Sequence, residues 1–141
     1  MSDSDLARFI DAQDLVFQRV IDELSLGKKQ THWIWFIFPQ LRGLGWSPKA
    51  VLYGIENLDE AGRYLSHPIL GERLRRCVRL MLSHKHKTAF EILGSPDDLK
   101  FRSCLTLFLT AGQNDEDLEL FTEALDVFFD GESDPLTISA I

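Results

Sequence analysis

Residues 96–111 carry the sequence PDDLKFRSCLTLFLTA, and this segment decides the fold. Asp97 and Asp98 come directly after Pro96, where carboxylates suit the positive end of a helix dipole. At 3.6 residues per turn, its apolar side chains point in nearly every direction around the helix: Leu99, Phe101, Leu105, Leu107, Phe108 and Leu109. A helix that is apolar all round is buried on all sides, so we expect it at the centre of the core.

The rest of the chain predicts further helices around this one. Apolar residues recur at three- and four-residue steps through residues 6–24, and Gly27 suits the end of that amphipathic helix. Further helix-start patterns follow at Ser47-Pro48, Asn57 with Glu60, His67-Pro68, Thr88, Ser95-Pro96 and Asn114. About two-thirds of the chain is therefore predicted to be helical, roughly twice the usual share.

One segment, residues 33–38, favours a strand by propensity. The sequence has no second strand of similar strength to pair with it, so we expect a short helical turn or an extended buried segment that ends at Pro39. The prediction is an all-α fold of about six or seven helices in an orthogonal or irregular bundle. Residues 1–141 are expected to form one domain, with a short acidic tail at residues 131–141.

Composition supports a folded core. The chain has 141 residues, of which 45% are apolar and 11% aromatic, and this excludes an intrinsically disordered protein. Two cysteines, Cys77 and Cys104, are too few for a disulfide scaffold or an unaided four-ligand zinc site. Both fall on predicted inner helix faces, so we expect free, buried thiols.

Charged residues are unevenly distributed along the chain. Residues 28–113 carry thirteen basic and seven acidic residues, whereas residues 1–27 and 114–141 are acidic. A basic middle between acidic ends favours a small anionic ligand and is a poor match for duplex nucleic acid, whose affinity comes mainly from phosphate neutralisation. The alternative is that the acidic ends only pack beside the basic middle and improve solubility.

The sequence lacks the signals of several classes of protein and of several kinds of site. Residues 1–5 are polar and acidic, unlike the start of a signal peptide, and the apolar run at residues 33–39 is far shorter than the roughly 20 residues that span a bilayer. We therefore predict a cytoplasmic protein without a membrane partner. The sequence has no glycine-rich phosphate loop and no metal-ligand spacing, so no cofactor or metal is predicted. The oligomeric state stays open.

One string is specific enough to suggest a family: His32-Trp33-Ile34-Trp35-Phe36-Ile37-Phe38-Pro39-Gln40. Together with residues 53–55, 64–71 and 96–108, it resembles the uncharacterised bacterial family filed as domain of unknown function 1810, over nearly the whole chain. The resemblance implies a small all-helical protein and no particular activity. Some members are labelled calpastatin, but the eukaryotic inhibitor of that name is disordered and poor in aromatic residues, unlike this chain.

Polar or amphipathic residues within apolar surroundings are the candidate ligand-binding residues. They are Gln13, His32, Trp33, Trp35, Gln40, Tyr53, His67, Lys100, Arg102, Ser103 and Thr106. A pocket for a planar anionic molecule would use such groups, with Arg102 and Lys100 holding the anion and Trp33 or Trp35 as an aromatic wall.

Four of these residues also have a structural interpretation. Gln13 can find hydrogen-bond partners within the core, and Arg102 can pair with Asp98, four residues earlier on the same helix face. His67 can cap a helix, and His32 can bond backbone at a turn.

Three functions from different classes follow as hypotheses, and whether the protein is an enzyme stays open. The first is a pocket for an anionic, nucleotide-like molecule, in which His32, Trp33, Trp35 and Arg102 converge on a concavity. The second is a protein-interaction module that uses a Trp-rich groove or the acidic last helix, with an exposed apolar patch of several hundred Å². The third is nucleic-acid binding through an open positive stripe of Arg73, Arg76 and Arg79.

Overall fold

The structure, a computed structural model, describes residues 6–141 and folds them into nine α-helices. They are α1 (Ala7–Leu26), α2 (Ile34–Ile37), α3 (Pro48–Leu52), α4 (Leu58–Ser66), α5 (Leu70–Leu82), α6 (Ala89–Leu93), α7 (Asp97–Ala111), α8 (Asp115–Phe129) and α9 (Pro135–Ala140). The predicted all-α fold is confirmed. The count exceeds six or seven because the short turn α2 and the last helix α9 are both regular helices.

Helix α7 is the central helix that its sequence predicts. It packs against α2, α4, α6, α8 and α9. Phe101, Cys104, Leu105 and Phe108 on α7 are completely buried. Leu99 departs from the pattern, since it lies near the start of α7 and is 56% exposed.

Aromatic rings join α7 to the helices around it. The Tyr64 ring on α4 lies 5.1 Å from the Phe9 ring on α1 and 5.2 Å from the Phe108 ring on α7. The Phe38 ring, just after α2, lies 4.6 Å from the Phe101 ring. These contacts bury aromatic surface, the strongest hydrophobic contribution per side chain, around one helix.

The segment after α2 runs beside residue 55 without forming a strand. Leu41 makes a single parallel bridge with Ile55. The Ile55 amide donates to the Gln40 carbonyl at 2.9 Å, and the Arg42 amide donates to the Ile55 carbonyl at 2.8 Å. This short pairing holds Gln40 in a defined position near α7.

The C-terminal segment folds back onto α7 and ends in the short helix α9. Asp134 is its N-cap, and the Asp134 carboxylate accepts from the Thr137 amide at 3.0 Å. The Asp134 amide donates to the Thr106 hydroxyl on α7 at 2.9 Å. The region predicted as an acidic tail is therefore ordered against the core.

Both cysteines are free and buried, as expected. Burial raises the pKa of the Cys77 thiol to about 12, so Cys77 is not a thiolate nucleophile at neutral pH. None of the helices described between residues 6 and 141 is long and apolar enough to cross a membrane.

Candidate functional site

A groove of about 390 Å³ lies between α7, the segment after α2 and the start of α9. Four of the predicted candidate residues line it, namely Gln40, Lys100, Arg102 and Ser103. Leu99 and Leu136 form its main apolar walls, with Leu44, Pro96 and Pro135 beside them. We call this site the α7 groove.

Helical spacing explains why α7 contributes several adjacent groups to one side of the groove. Residues three and four apart are neighbours on a helix surface, as Leu99 is to Arg102 and Ser103, and Lys100 is to Ser103. Leu136 comes from α9 on the other side, because the C-terminal segment is held against α7. The groove therefore exists only when both segments are folded.

A small void of about 10 Å³ lies beside the groove and shares Gln40 and Lys100 with it. Trp35 and Tyr53 also line this void. The ammonium groups of Lys49 and Lys100 lie 4.7 Å and 5.2 Å from the Trp35 ring centroid, within cation–π distance. The indole Nε1 of Trp35 is buried and has no hydrogen-bond partner in the described part of the chain.

Lys100 carries a charge that its surroundings only weakly compensate. Its ammonium lies 4.0 Å from Oδ1 of Asp97. The other oxygen of that carboxylate, Oδ2, is held by the Lys29 ammonium at 2.8 Å. One carboxylate thus faces two lysines, so Asp97 compensates the charge of Lys100 only weakly.

Arg102 holds the C-terminal segment and does not pair with Asp98. Its Nε donates to the Glu132 carbonyl and its Nη2 to the Ser133 carbonyl, each at 2.8 Å. Asp98 instead accepts from the Leu99 amide at 2.9 Å. Arg102 Nη2 also lies 3.8 Å from the Glu132 carboxylate, which partly compensates the charge of the guanidinium.

Replacing Arg102 by alanine is expected to lower the free energy of unfolding by about 1–2 kcal/mol, because two charge-assisted hydrogen bonds to the backbone are lost. Amide exchange in residues 132–140 should accelerate while the centre of α7 keeps its protection. Denaturant unfolding and hydrogen-exchange mass spectrometry measure the two effects. The control Arg19→Ala, exposed on α1, should change stability by less than about 0.5 kcal/mol. Unchanged exchange in residues 132–140 of the Arg102 variant would contradict this role.

The Asp134 carboxylate lines the groove but is committed to capping. Its Oδ2 accepts from the Ser103 hydroxyl at 3.1 Å and from both the amide and the hydroxyl of Thr137. Ser103 therefore lines the groove while its hydroxyl is engaged with α9.

Gln13 and Trp33 lie in the core, away from the groove. The Gln13 side-chain nitrogen donates to the Phe36 carbonyl at 2.7 Å and to the Tyr64 hydroxyl at 3.0 Å. Trp33 is 1% exposed, and its Nε1 donates to Glu23 at 2.9 Å. Both make the core contacts that buried polar groups require.

His67, His32 and Thr106 also lie elsewhere. His67 Nδ1 accepts from the Ile69 and Leu70 amides at the start of α5, which is a capping contact. His32 is exposed. The Thr106 hydroxyl donates to the Arg102 carbonyl at 2.9 Å. Of the four residues expected to converge, Trp35 and Arg102 border neighbouring depressions, whereas His32 and Trp33 border neither.

The structure gives less support to the surfaces that the other two hypotheses require. Arg73 is paired with Asp14 at 2.8 Å, so the stripe expected from Arg73, Arg76 and Arg79 is partly neutralised. Trp46 is 87% exposed, but Trp33 is buried in the core, so the tryptophans do not form one groove. Within residues 6–141, no group of three or more His, Cys, Asp or Glu side chains could hold a metal ion.

Sequence reasoning missed the α9 side of the groove, above all Leu136. A signal was present, since Asp134-Pro135 repeats the cap-and-proline pattern that Ser47-Pro48 shows at the start of α3. The acidic composition of residues 131–141 hid this pattern. Glu23 was missed as well, because nothing local marks it as a buried carboxylate.

The fold and the groove define a small all-α protein whose class carries no assigned activity. The chain belongs to the family described as Protein of unknown function (DUF1810), whose model matches residues 3–141. It is similar to the crystal structure of the conserved hypothetical protein Rv1873 from Mycobacterium tuberculosis. The identity is 44%, the match covers 99% of this chain and 98% of that chain, and the TM-score is 0.94. No curated protein matches the chain.

Proposed function

We propose that the protein binds a small anionic molecule in the α7 groove. The observation that carries the proposal is the position of Lys100, a weakly compensated cation in a groove of about 390 Å³. That volume falls within the range of about 300–1,000 Å³ that is typical of small-molecule sites.

Of the charged groups around the groove, Lys100 is the cation that an anion would meet. The Asp97 carboxylate is shared between Lys29 and Lys100. The Asp134 carboxylate keeps its negative charge, but its Oδ2 is directed to the Ser103 hydroxyl and to the amide and hydroxyl of Thr137. Arg102 bonds the carbonyls of Glu132 and Ser133 and lies 3.8 Å from the Glu132 carboxylate, so its charge is directed mainly to the C-terminal segment. A cation attracts an anion more strongly at such a partly desolvated site than in bulk water.

Gln40 and Trp35 support orientation of the ligand. The Gln40 side-chain amide lines both the groove and the adjoining void, and it makes no hydrogen bond to any other residue that the structure describes. It can therefore donate to and accept from a ligand. The Trp35 indole lies against the Lys100 ammonium and restricts the positions of that flexible side chain, which lowers the entropy cost of binding.

Lys100→Gln tests the proposal, with Lys85→Gln on an exposed site as the matched control. Thermal shift is measured against a panel of organic carboxylates, mononucleotides and sugar phosphates. A ligand at about 100 times its Kd should stabilise the parent protein by about 2.7 kcal/mol and raise Tm by about 5–10 °C. The Lys100 variant should lose most of this shift, and the Lys85 variant should keep it.

Two results would refute the proposal. One is that no anion in the panel shifts the Tm of the parent protein. The other is that the shift survives Lys100→Gln in full, which would place the ligand elsewhere on the protein.

A further inference from the structure

We infer that the α7 groove selects an organic carboxylate with a compact apolar body, aromatic or branched, over a phosphate compound. This inference rests on the proposed function, since it specifies the ligand of the same groove. Four observations support it: the charge available at Lys100, the groups at the start of α7, the apolar lining of the groove and the position of the Gln40 amide beside Lys100.

The available charge matches a monoanion. Lys100 is weakly paired, whereas Arg102 is held by the carbonyls of Glu132 and Ser133 and lies 3.8 Å from the Glu132 carboxylate. The Asp134 carboxylate in the lining lowers the net positive charge further. A phosphate monoester carries a charge of about −1.5 to −2 at neutral pH and three strong acceptor oxygens. Such a group requires more free donors and more positive charge than this arrangement presents.

The start of α7 opposes a phosphate. A helix N-terminus that binds phosphate offers free backbone amides and no competing anion. Here Pro96 borders the groove, and Asp97 and Asp98 occupy the first turn. The Leu99 amide is already engaged by the Asp98 carboxylate at 2.9 Å. The terminus that would attract a phosphate is thus occupied by the chain's own carboxylates.

The apolar lining of the α7 groove favours a ligand with an apolar body. Leu99 on α7 is 56% exposed and Leu136 on α9 is 67% exposed, and both line the groove. Leu44, Pro96 and Pro135 complete this lining. An apolar group placed between two such leucines removes their surface from water, which is favourable in proportion to the area covered.

The Lys100 ammonium and the Gln40 amide suit the carboxylate group of such a ligand. Its two oxygens can be divided between the Lys100 ammonium and the Gln40 amide, which line both the groove and the adjoining void. A charge-assisted bond from lysine together with a neutral bond from an amide satisfies both oxygens of a monoanion.

Isothermal titration calorimetry with four probes tests the inference: 3-phenylpropionate, 3-phenylpropan-1-ol, phenyl phosphate and AMP. We expect 3-phenylpropionate to bind the parent protein at least about tenfold more tightly than each of the others, since a charge-assisted hydrogen bond contributes a factor of this order.

Lys100→Gln should remove the preference for the carboxylate over the alcohol, whereas Lys100→Arg should retain it. Leu136→Gln should weaken the binding of 3-phenylpropionate about tenfold. The matched control Leu15→Gln, at an 86% exposed site on α1, should leave binding unchanged.

The outcomes separate the inference from the proposed function. Tighter binding of phenyl phosphate or AMP than of 3-phenylpropionate, with dependence on Lys100, would overturn the carboxylate inference and support an anion site. Absence of 3-phenylpropionate binding, or binding unaffected by Leu136→Gln, would also overturn the inference. The carboxylate inference and the proposed function both fail if no probe binds in a Lys100-dependent way and no anion of the thermal-shift panel does so either. Leu136 is 67% exposed, and the partly buried Lys100 makes only a 4.0 Å ion pair with Asp97 and a cation–π contact with Trp35, so each variant should keep the unfolding transition of the parent protein.

Discussion

Replacement of Asp117 by alanine is expected to lower the free energy of unfolding by about 3–5 kcal/mol, because it leaves a partly buried guanidinium without its counterion. Asp117 is 2% exposed, and its two carboxylate oxygens accept from Arg75 Nε at 2.6 Å and Arg75 Nη2 at 2.9 Å. The same Nη2 donates to the Leu65 carbonyl at 3.0 Å. This one ion pair therefore ties α8 to α5 and α4, and hydrogen bonding to Asp117 raises the pKa of Arg75.

Chemical denaturation measures this loss, and two further variants assign its cause. The control Glu119→Ala, at an exposed site on α8, should change stability by less than about 0.5 kcal/mol. The double variant Arg75→Met with Asp117→Leu should be more stable than Asp117→Ala, because no buried charge is left unpaired. A loss below about 1 kcal/mol for Asp117→Ala would show that the pair does not clamp these helices.

Replacement of Glu23 by glutamine is expected to cost about 3 kcal/mol at pH 7. The Glu23 carboxylate accepts from the Gln30 amide at 2.7 Å, from the amide and hydroxyl of Thr31 at 3.0 Å and 2.7 Å, and from Trp33 Nε1 at 2.9 Å. Glutamine keeps the size of the side chain but places an N–H group among these donors. Urea unfolding of the two proteins at pH 7 measures the difference.

The pH dependence identifies the carboxylate as the cause. Burial raises the pKa of Glu23, but the hydrogen bonds to residues 30, 31 and 33 lower it by more, from its ordinary value of 4.5 to about 2. Because the folded pKa lies below the unfolded one, the stabilisation is fully present above about pH 4.5 and is lost as the pH falls towards 2. The advantage of the parent protein over Glu23→Gln should shrink over this interval. Parallel stability profiles for the two proteins between pH 6 and 2.5 would contradict this explanation.

Helix starts and ends could be predicted because their signals are local. Ser47 accepts from the Ala50 amide, Asn57 from the Glu60 amide and Asn114 from the Asp117 amide. Each cap joins residues three apart, so the sequence contains both partners side by side. Gly27 ends α1 with a φ of 73°, a left-handed conformation that glycine adopts without steric cost.

The candidate site could be predicted only as a set of residue types. Gln40 and Lys100 were selected because they are polar within apolar surroundings, and the same criterion selected Gln13 and Trp33. The criterion cannot separate them, because a buried polar group is satisfied equally well by distant core partners or by a ligand. The Gln13 side chain bonds Tyr64, 51 residues away, whereas the side-chain amide of Gln40 has no partner among residues 6–141.

The all-α class, the central position of α7 and most helix boundaries follow from the sequence, because helical periodicity and caps act over three or four residues. Only the tertiary structure decided the groove and the role of Arg102. Helical spacing allows Arg102 to reach Asp98 four residues earlier, but its guanidinium bonds the carbonyls of residues 132 and 133 instead. The choice depends on where the C-terminal segment packs, and a long, flexible side chain turns to whichever acceptors the folded chain brings within reach.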